Sequence, residues 1–467
     1  MIKILPHEKI DILSKYKDLV QGLDPIQYVG KVERVVGLTI ESIGPDVEYG
    51  ELCKIRLDKG EYLYAEVVGF NRNRVILMPV GDMKGVVPGA DVIAAGTALM
   101  VPVGDVLLGR VISGIGAPID GRGDIFAREK YPVTSLPINP LERTVIDTPL
   151  SVGIRAIDAL NTVGRGQRLG IFSGSGVGKS TVIGMIARYT EADVNVIALI
   201  GERGREVKDF VEKELGPEGL RNSVVVVATS NQPAMLRIRG AYLAHAVAEY
   251  FRDRGKHVNL LMDSITRFSM AQREVGLAAG EPAVMRGYPP SVFSLMAKLM
   301  ERCGTVAAGG SITGFYAVLV EADDMNEPIA DHARSILDGH IVLERRLAHK
   351  GHYPAVDVLQ SISRCMKDVV TPEHNAAAAR FRELLAAYAE HEDEISLGAY
   401  AKGSLPTVDK ALEMMDRMNA FLKQGIYEKD IYESIVQKLR DMFAEKRPLG
   451  ARPDIVARTP AFVRIIR

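Results

Sequence analysis

The chain has 467 residues, a formal net charge of −1, 47% apolar and 25% charged residues. That length suggests about three domains and a sizeable core. The near-neutral charge gives no long-range attraction for nucleic acid or an acidic membrane surface. Three widely separated cysteines, Cys53, Cys303 and Cys365, fit a reducing compartment and argue against a disulfide framework or a CxxC metal site.

Pro6, His7 and Glu8 interrupt the opening apolar run, so no signal peptide is expected. No uncharged apolar stretch is long enough to span a bilayer. A cytoplasmic protein is expected, with any membrane association peripheral. Residues 8–23 read as an amphipathic helix with Ile12, Leu13, Tyr16, Leu19, Val20 and Leu23 on one stripe. The stripe can dock on its own barrel or on a partner. Between residues 26 and 98, short β-rich runs (Tyr28–Val36, Glu51–Leu57, Tyr62–Phe70, Arg74–Pro79) alternate with turn residues, which predicts a small closed barrel.

From 99 to 371 apolar strands alternate with helices. Leu169–Phe172, Val194–Ile200, Ser223–Ala228, Val258–Met262 and Ile312–Leu319 are the strand candidates. Near-continuous apolar strands of this kind predict a parallel sheet covered on both faces. Thr371-Pro372-Glu373 is a helix start, and the chain from there to 445 reads as helical with breaks at Gly403, Pro406 and Gly425. Residues 446–467 carry six basic residues, one acidic residue and three prolines, which predicts a poorly ordered tail.

The strongest chemical signal is Ser173-Gly174-Ser175-Gly176-Val177-Gly178-Lys179-Ser180-Thr181, between an apolar strand and a helix expected over Thr181–Tyr189. This is the context of a phosphate-binding loop. Glycines let backbone N–H groups face phosphate oxygens, and the helix N-terminus adds partial positive charge. Lys179 would reach the β- and γ-phosphates of ATP, and the Ser180 hydroxyl would ligate Mg²⁺. Ser173 stands where the strict pattern has glycine, and it is small. Asp263 closes the apolar run Val258–Met262; it fits a Mg²⁺-holding acid and, taken alone, equally a helix cap. Glu202 lies just past Val194–Ile200, where ligands bind in open α/β sheets, and can polarise an attacking water. A solvated charge cluster is the plainer reading of Glu202-Arg203-Gly204-Arg205-Glu206.

These motifs in this order resemble the rotary-ATPase and type III export ATPase superfamily. The likeness runs from about 24 to 445 through Leu107–Asp120, Gly153–Leu160, Gly201–Val207, Leu261–Phe268, Gly287–Phe293, Gly310–Thr313 and Leu337–Leu343. Glu321–Pro328, Gly351–Ala355 and Ser361–Arg364 resemble the protein-export branch, most of all flagellar export ATPases, with virulence-secretion ATPases beside them. The resemblance implies a RecA-like α/β core (99–371) with an N-terminal β-barrel (24–98), a C-terminal α-helical domain (372–445) and an N-terminal partner-binding helix (1–23).

It further implies that Glu202 is the catalytic glutamate with Arg203 its neighbour on the nucleotide. Asp263 corresponds to the Walker B acid and Arg267 to the arginine beyond it. Tyr353 corresponds to the aromatic on adenine, and Arg364 to an arginine finger reaching the adjacent subunit's nucleotide. By sequence alone Tyr353 can be a core aromatic and Arg364 a surface charge. A homohexamer is implied, with a peripheral-stalk regulator at the N-terminal helix and a central coiled-coil stalk in the pore. Export gate, substrates and chaperones are further implied partners, at the inner-membrane export apparatus. Three other classes are weighed against this. A non-catalytic nucleotide-binding subunit lacks the catalytic glutamate. A hexameric RNA translocase needs a basic, aromatic barrel face, which this neutral chain does not show. An ATP synthase catalytic subunit is disfavoured by the export-type motifs.

Overall fold

The computed structural model describes residues 28–57, 60–96, 99–307 and 309–444. The helix expected over residues 8–23 and the basic tail 446–467 lie outside the described residues. The described residues up to 96 form six strands: β1 (Val29–Val36), β2 (Thr39–Ile43), β3 (Leu52–Arg56), β4 (Tyr62–Asn71), β5 (Arg74–Pro79) and β6 (Asp91–Ala94). They close into an antiparallel barrel in the order β1-β2-β5-β4-β3-β6. The two-residue period turns Val32, Ile40, Ile55, Val67, Leu77 and Val92 inward, away from water. Strands β2 and β6 were not expected from sequence. In β2, Glu41 and Ser42 are buried, and Glu41 is held by Arg34 at 2.8 Å, so the polar residues do not mark the solvent face. Strand β6 is too short to show a period.

The large sheet is built from β7 (Val111–Ser113), β8 (Arg168–Ser173), β9 (Val194–Ile200), β10 (Ser223–Ala228), β11 (His257–Asp263), β12 (Ser311–Leu319), β13 (Gly339–Leu343) and β14 (Val356–Ser363). Their spatial order is β14-β13-β8-β12-β11-β9-β10-β7, with Gly304–Thr305 bridging β12. All main neighbours run parallel except β14, which returns antiparallel to β13. Helices α1 (Lys179–Tyr189), α2 (Ala234–Arg252), α3 (Ile265–Ala278), α4 (Pro290–Met300) and α5 (Pro328–Ile336) cover it. Both faces are apolar, so successive residues divide between two cores. Val196, Ala198 and Ile200 of β9 face α2–α4, while Ile197 and Leu199 face α1. This explains why the strands read as near-continuous apolar runs.

Helices α6 (Pro372–Glu390), α7 (Pro406–Leu422) and α8 (Tyr432–Phe443) complete the described chain. The Thr371 hydroxyl accepts the His374 N–H at 3.3 Å, capping α6. Pro406 is not a break. It occupies the first position of α7, where its missing N–H would be unpaired anyway. Phe381, Leu384, Met418, Phe421 and Leu439 of these helices join the same apolar cluster as Val182 and Ile186 of α1.

One buried ion pair fixes the connecting segment 133–135 against the core. Arg302 donates to both carboxylate oxygens of Glu249 (2.8 and 2.7 Å) and to the Val133 carbonyl (2.9 Å), while the Ser135 hydroxyl also donates to Glu249. The two side chains are 1% and 5% exposed, so removing one partner strands the other's charge away from water. Arg302→Met should therefore cost about 3–5 kcal/mol in chemical denaturation. Glu249→Gln combined with Arg302→Met should recover part of that loss. If the double variant is as unstable as the sum of the singles, the pair is not coupled.

Candidate active site

Parallel strands end on the same edge, and the chemical groups gather there. Strand β8 ends at Ser173, paired with Leu319 of β12, and β11 ends at Asp263, paired with Leu199 of β9. The loop after Ser173 turns into α1 through Gly178, whose φ of 102° is open to glycine and strained for other residues. That conformation starts the helix at Lys179, two residues earlier than the sequence suggested. Gly174 lies close under two side chains: a Cβ there would stand 2.4 Å from Asp323 Oδ1 and 2.5 Å from Arg345 Nη2, so both would have to shift. Val177 packs its side chain into the core, so its contribution to the loop is its backbone. Ser175, Gly176 and Ser180 are exposed.

Lys179 sits at the centre. Its Nζ makes a short ion pair with Asp263 Oδ1 and lies 3.5 Å from Glu202 Oε1. The three side chains are almost buried, at 11%, 4% and 14% exposure. Burial opposes the charge on Lys179, but Asp263 and Glu202 outweigh it and raise its pKa. Burial, followed by repulsion from Asp263, pushes the Glu202 carboxyl well above the usual carboxylate range, against the pull of Lys179. Glu202 Oε1 and the Ser173 hydroxyl are buried without a hydrogen-bond partner.

A cavity of about 670 Å³ opens over these groups, lined by the loop, Glu202, Thr266, Arg267, Glu321 and Arg345. A larger one of about 820 Å³ lies between barrel and core, around Arg239, remote from this chemistry. Arg267 packs its stem on Gly201, and its Nε is buried and unpartnered. Arg203 is 79% exposed and pairs with Glu206 at 3.5 Å. Tyr353 is half-exposed, its ring edge 4.0 Å from where a Cβ of Gly178 would stand. Arg364 is not in this cavity. It follows β14, whose last residue Ser363 pairs with Gly339 at the start of β13. This places it at the opposite edge of the sheet, about 17 Å of strand from the chain's own loop.

Arg345 and Asp323 were not singled out from sequence. Arg345 donates to the Ser175 carbonyl at 3.2 Å and to Asp323 at 3.3 Å, tying the loop to the segment after β12. The acid-rich Glu321–Pro328 was the available signal, but its position beside the loop is set by the sheet.

The residues fit Mg²⁺ and a nucleoside triphosphate. Two carboxylates face one ammonium, a buried carboxylate oxygen lacks a partner, and a helix N-terminus and loop amides meet the same cavity. Among the described residues no group of three or more His, Cys, Asp or Glu side chains forms a protein-only metal cage. Mg²⁺ needs none, being held by one or two protein oxygens with phosphates and waters.

Residues 32–96 match the beta-barrel domain of the ATP synthase alpha/beta family, and 153–363 its nucleotide-binding domain. Residues 370–441 match the T3SS EscN ATPase C-terminal domain. A flagellum-specific ATP synthase of Bacillus subtilis is 52% identical over 91% of this chain and 97% of its own length. One of Salmonella typhimurium is 49% identical over 92% and 97%. A type 3 secretion system ATPase of Xanthomonas euvesicatoria is 49% identical over 88% and 93%. The assembled ATPase EscN of enteropathogenic E. coli superposes with a TM-score of 0.84 at 44% identity, covering 89% of this chain and all of that one. EscN has also been solved with its central stalk EscO, with a TM-score of 0.82 at 43% identity, covering 89% of this chain and all of that one. The chain belongs to the ATP synthase alpha/beta family, among the flagellum-specific and type III secretion ATPases.

Proposed function

We propose that this protein is a Mg²⁺-dependent ring ATPase that energises export of flagellar proteins through a type III apparatus. The observation that carries this is the Lys179–Asp263–Glu202 cluster at the mouth of the phosphate-binding loop, in a chain about half identical to flagellum-specific ATP synthases over nearly its whole length. The virulence-secretion reading shares the enzyme and differs in apparatus; the EscN likeness favours it less than the flagellar identities do. The division proposed is barrel 24–98, ATPase core 99–371 and helical domain 372–445, with residues 1–23 as the partner-binding helix and 446–467 as a basic tail.

In this reading the backbone of Gly174–Gly178 and the N-terminus of α1, including Thr181, cradle the phosphates. Lys179 supplies the fixed positive charge, and Ser180 and Asp263 hold Mg²⁺. Bound Mg²⁺ offsets phosphate charge during transfer to water. Glu202 has a raised pKa and an oxygen without a hydrogen bond, 3.5 Å from the Lys179 ammonium, which suit it to orient a water and accept its proton. Arg267 and Arg203 stand at the rim toward the nucleotide, and Tyr353 takes the adenine. The partners proposed are a regulator at the N-terminal helix, a stalk in the pore of a homohexamer, and export gate, substrates and chaperones. Docking at the membrane is peripheral, and no helix of the described residues is long and apolar enough to cross one.

Glu202→Gln should retain ATP binding and lose about 10²–10⁴-fold in turnover, measured by steady-state assay beside equilibrium nucleotide binding. Near-normal turnover would remove Glu202 from the reaction.

Arg364 stands at the far edge of its own sheet, so in this reading it serves a neighbour's nucleotide. An arginine acting in trans is worth about 10³–10⁵-fold in related phosphoryl transfer. Arg364→Ala and Glu202→Gln chains should each be inactive and regain part of the activity when mixed, because some interfaces then unite an intact Glu202 with an intact Arg364. A mixture that stays inactive under conditions where the chains exchange subunits would exclude the trans role.

A further inference from the structure

The turn between α7 and α8 is tied to the backbone of Tyr353 and to the last turn of α1, the helix that begins at Lys179. The Gln424 backbone N–H donates to the Tyr353 carbonyl at 2.9 Å. The side chain of Gln424, only 5% exposed, donates to the Gly153 and Glu428 carbonyls at 2.7 Å each and accepts the Arg155 N–H at 2.9 Å. The buried Arg155 donates to the Phe421 carbonyl at 2.7 Å, to the Lys423 carbonyl and to Glu428, and lies 3.5 Å from Asp430. From the other side, the last turn of α1 reaches the same segment. Arg188 and the Tyr189 hydroxyl both donate to the Ile426 carbonyl, at 3.0 and 2.8 Å, and the Arg188 guanidinium lies over the Tyr427 ring.

One end of α1 is therefore Lys179, at the phosphates. The other end grips a turn whose first residue holds the backbone of Tyr353, the ring that stands beside Gly178. We propose that Gln424–Asp430 is a clasp that sets the position of Tyr353 relative to the phosphate-binding loop, with Gln424 and Arg155 as positioning residues for nucleotide affinity. This rests on the assignment of Tyr353 to the adenine base. The clasp meets the Tyr353 backbone and the end of α1 remote from Lys179. Loosening it weakens ATP binding and leaves the phosphate end, with Lys179, Asp263 and Glu202, unchanged. Because the clasp joins two helices of the C-terminal region, an event that shifts α7 against α8 is read out as a change in ATP affinity.

The test compares Gln424→Ala with Tyr353→Ala and the double variant. The probes are ATP and inorganic tripolyphosphate, which resembles the phosphates and has no base. Gln424→Ala should raise the KM and Kd for ATP about 5- to 30-fold, the range of a 1–2 kcal/mol loss. Its kcat and its inhibition by tripolyphosphate should stay close to those of the parent. In the Tyr353→Ala background, Gln424→Ala should add little, because the two act through one contact. Full additivity, or a tripolyphosphate affinity that falls with that for ATP, would overturn the clasp. Unchanged ATP affinity in Tyr353→Ala would instead overturn the base assignment. If Gln424→Ala is too unstable to assay, Tyr189→Phe deletes one hydroxyl at the half-exposed end of the clasp. It should raise the KM for ATP by a smaller factor with the same tripolyphosphate control; no change there would overturn the proposal.

Discussion

A parallel strand can pair with its neighbour only when the chain crosses back over the sheet, so every strand of such a sheet leaves by the same edge. The ladder β8-β12-β11-β9 imposes that condition on this protein. Ser173, Leu319, Asp263 and Ile200 all finish at one rim, and the segments that follow must turn there. The loop before α1, Glu202 after β9 and Asp263 at the tip of β11 are neighbours for that reason, although 90 residues of sequence separate the first from the last. The exception, β14, runs the other way and carries Arg364 to the opposite rim. The strand directions thus assign one set of charged residues to the chain's own cavity and send another away from it.

Within the cavity the balance of charge is deliberate in its asymmetry. One ammonium lies between two carboxylates, and it pairs closely with Asp263 and loosely with Glu202. A carboxylate buried with an incomplete set of partners is costly to keep ionised. Here the cost falls on Glu202. Stability alone would favour a hydrogen-bond donor in that place, and a buried oxygen left without one is the kind of local conflict expected where a protein does chemistry. The Arg302–Glu249 pair shows the contrast: every oxygen and guanidinium group described there has a partner, and its task is to hold a segment in place.

Much of the fold was legible because the central strands are buried on both faces. Val194–Ile200 and Ser223–Ala228 are buried at each position and came out with the bounds read from sequence. Strands β2 and β6 were missed, since a buried, ion-paired Glu41 inverts the usual signal and a four-residue strand has no period to detect. In the site, the groups that lie within a single motif were visible: the glycine loop, Lys179, Ser180, Glu202 and Asp263. Arg345, Asp323 and Gln424 were not, because nothing local distinguishes an arginine that ties down a loop from one in solvent. Their positions follow from pairings across 22 to 271 residues of chain. Arg203 was visible with its motif, and its exposed side chain meets Glu206 at the wall of the same cavity.

The apolar interior is not partitioned as the architecture is. The barrel encloses its own cluster around Ile40, Ile55, Val67 and Leu77. The helices α6–α8 have no such enclosure: Phe381, Met418 and Leu439 share one continuous cluster with α1 and the sheet. Cooperative melting follows shared burial rather than the outline of domains. The architectural parts and the apolar clusters therefore divide the molecule along different lines. Met78 of the barrel joins one core cluster, with Val101 and Ile112, whereas the C-terminal helices share the other with the phosphate-binding helix. A load applied to those helices is borne by the same interior that seats the phosphate-binding helix.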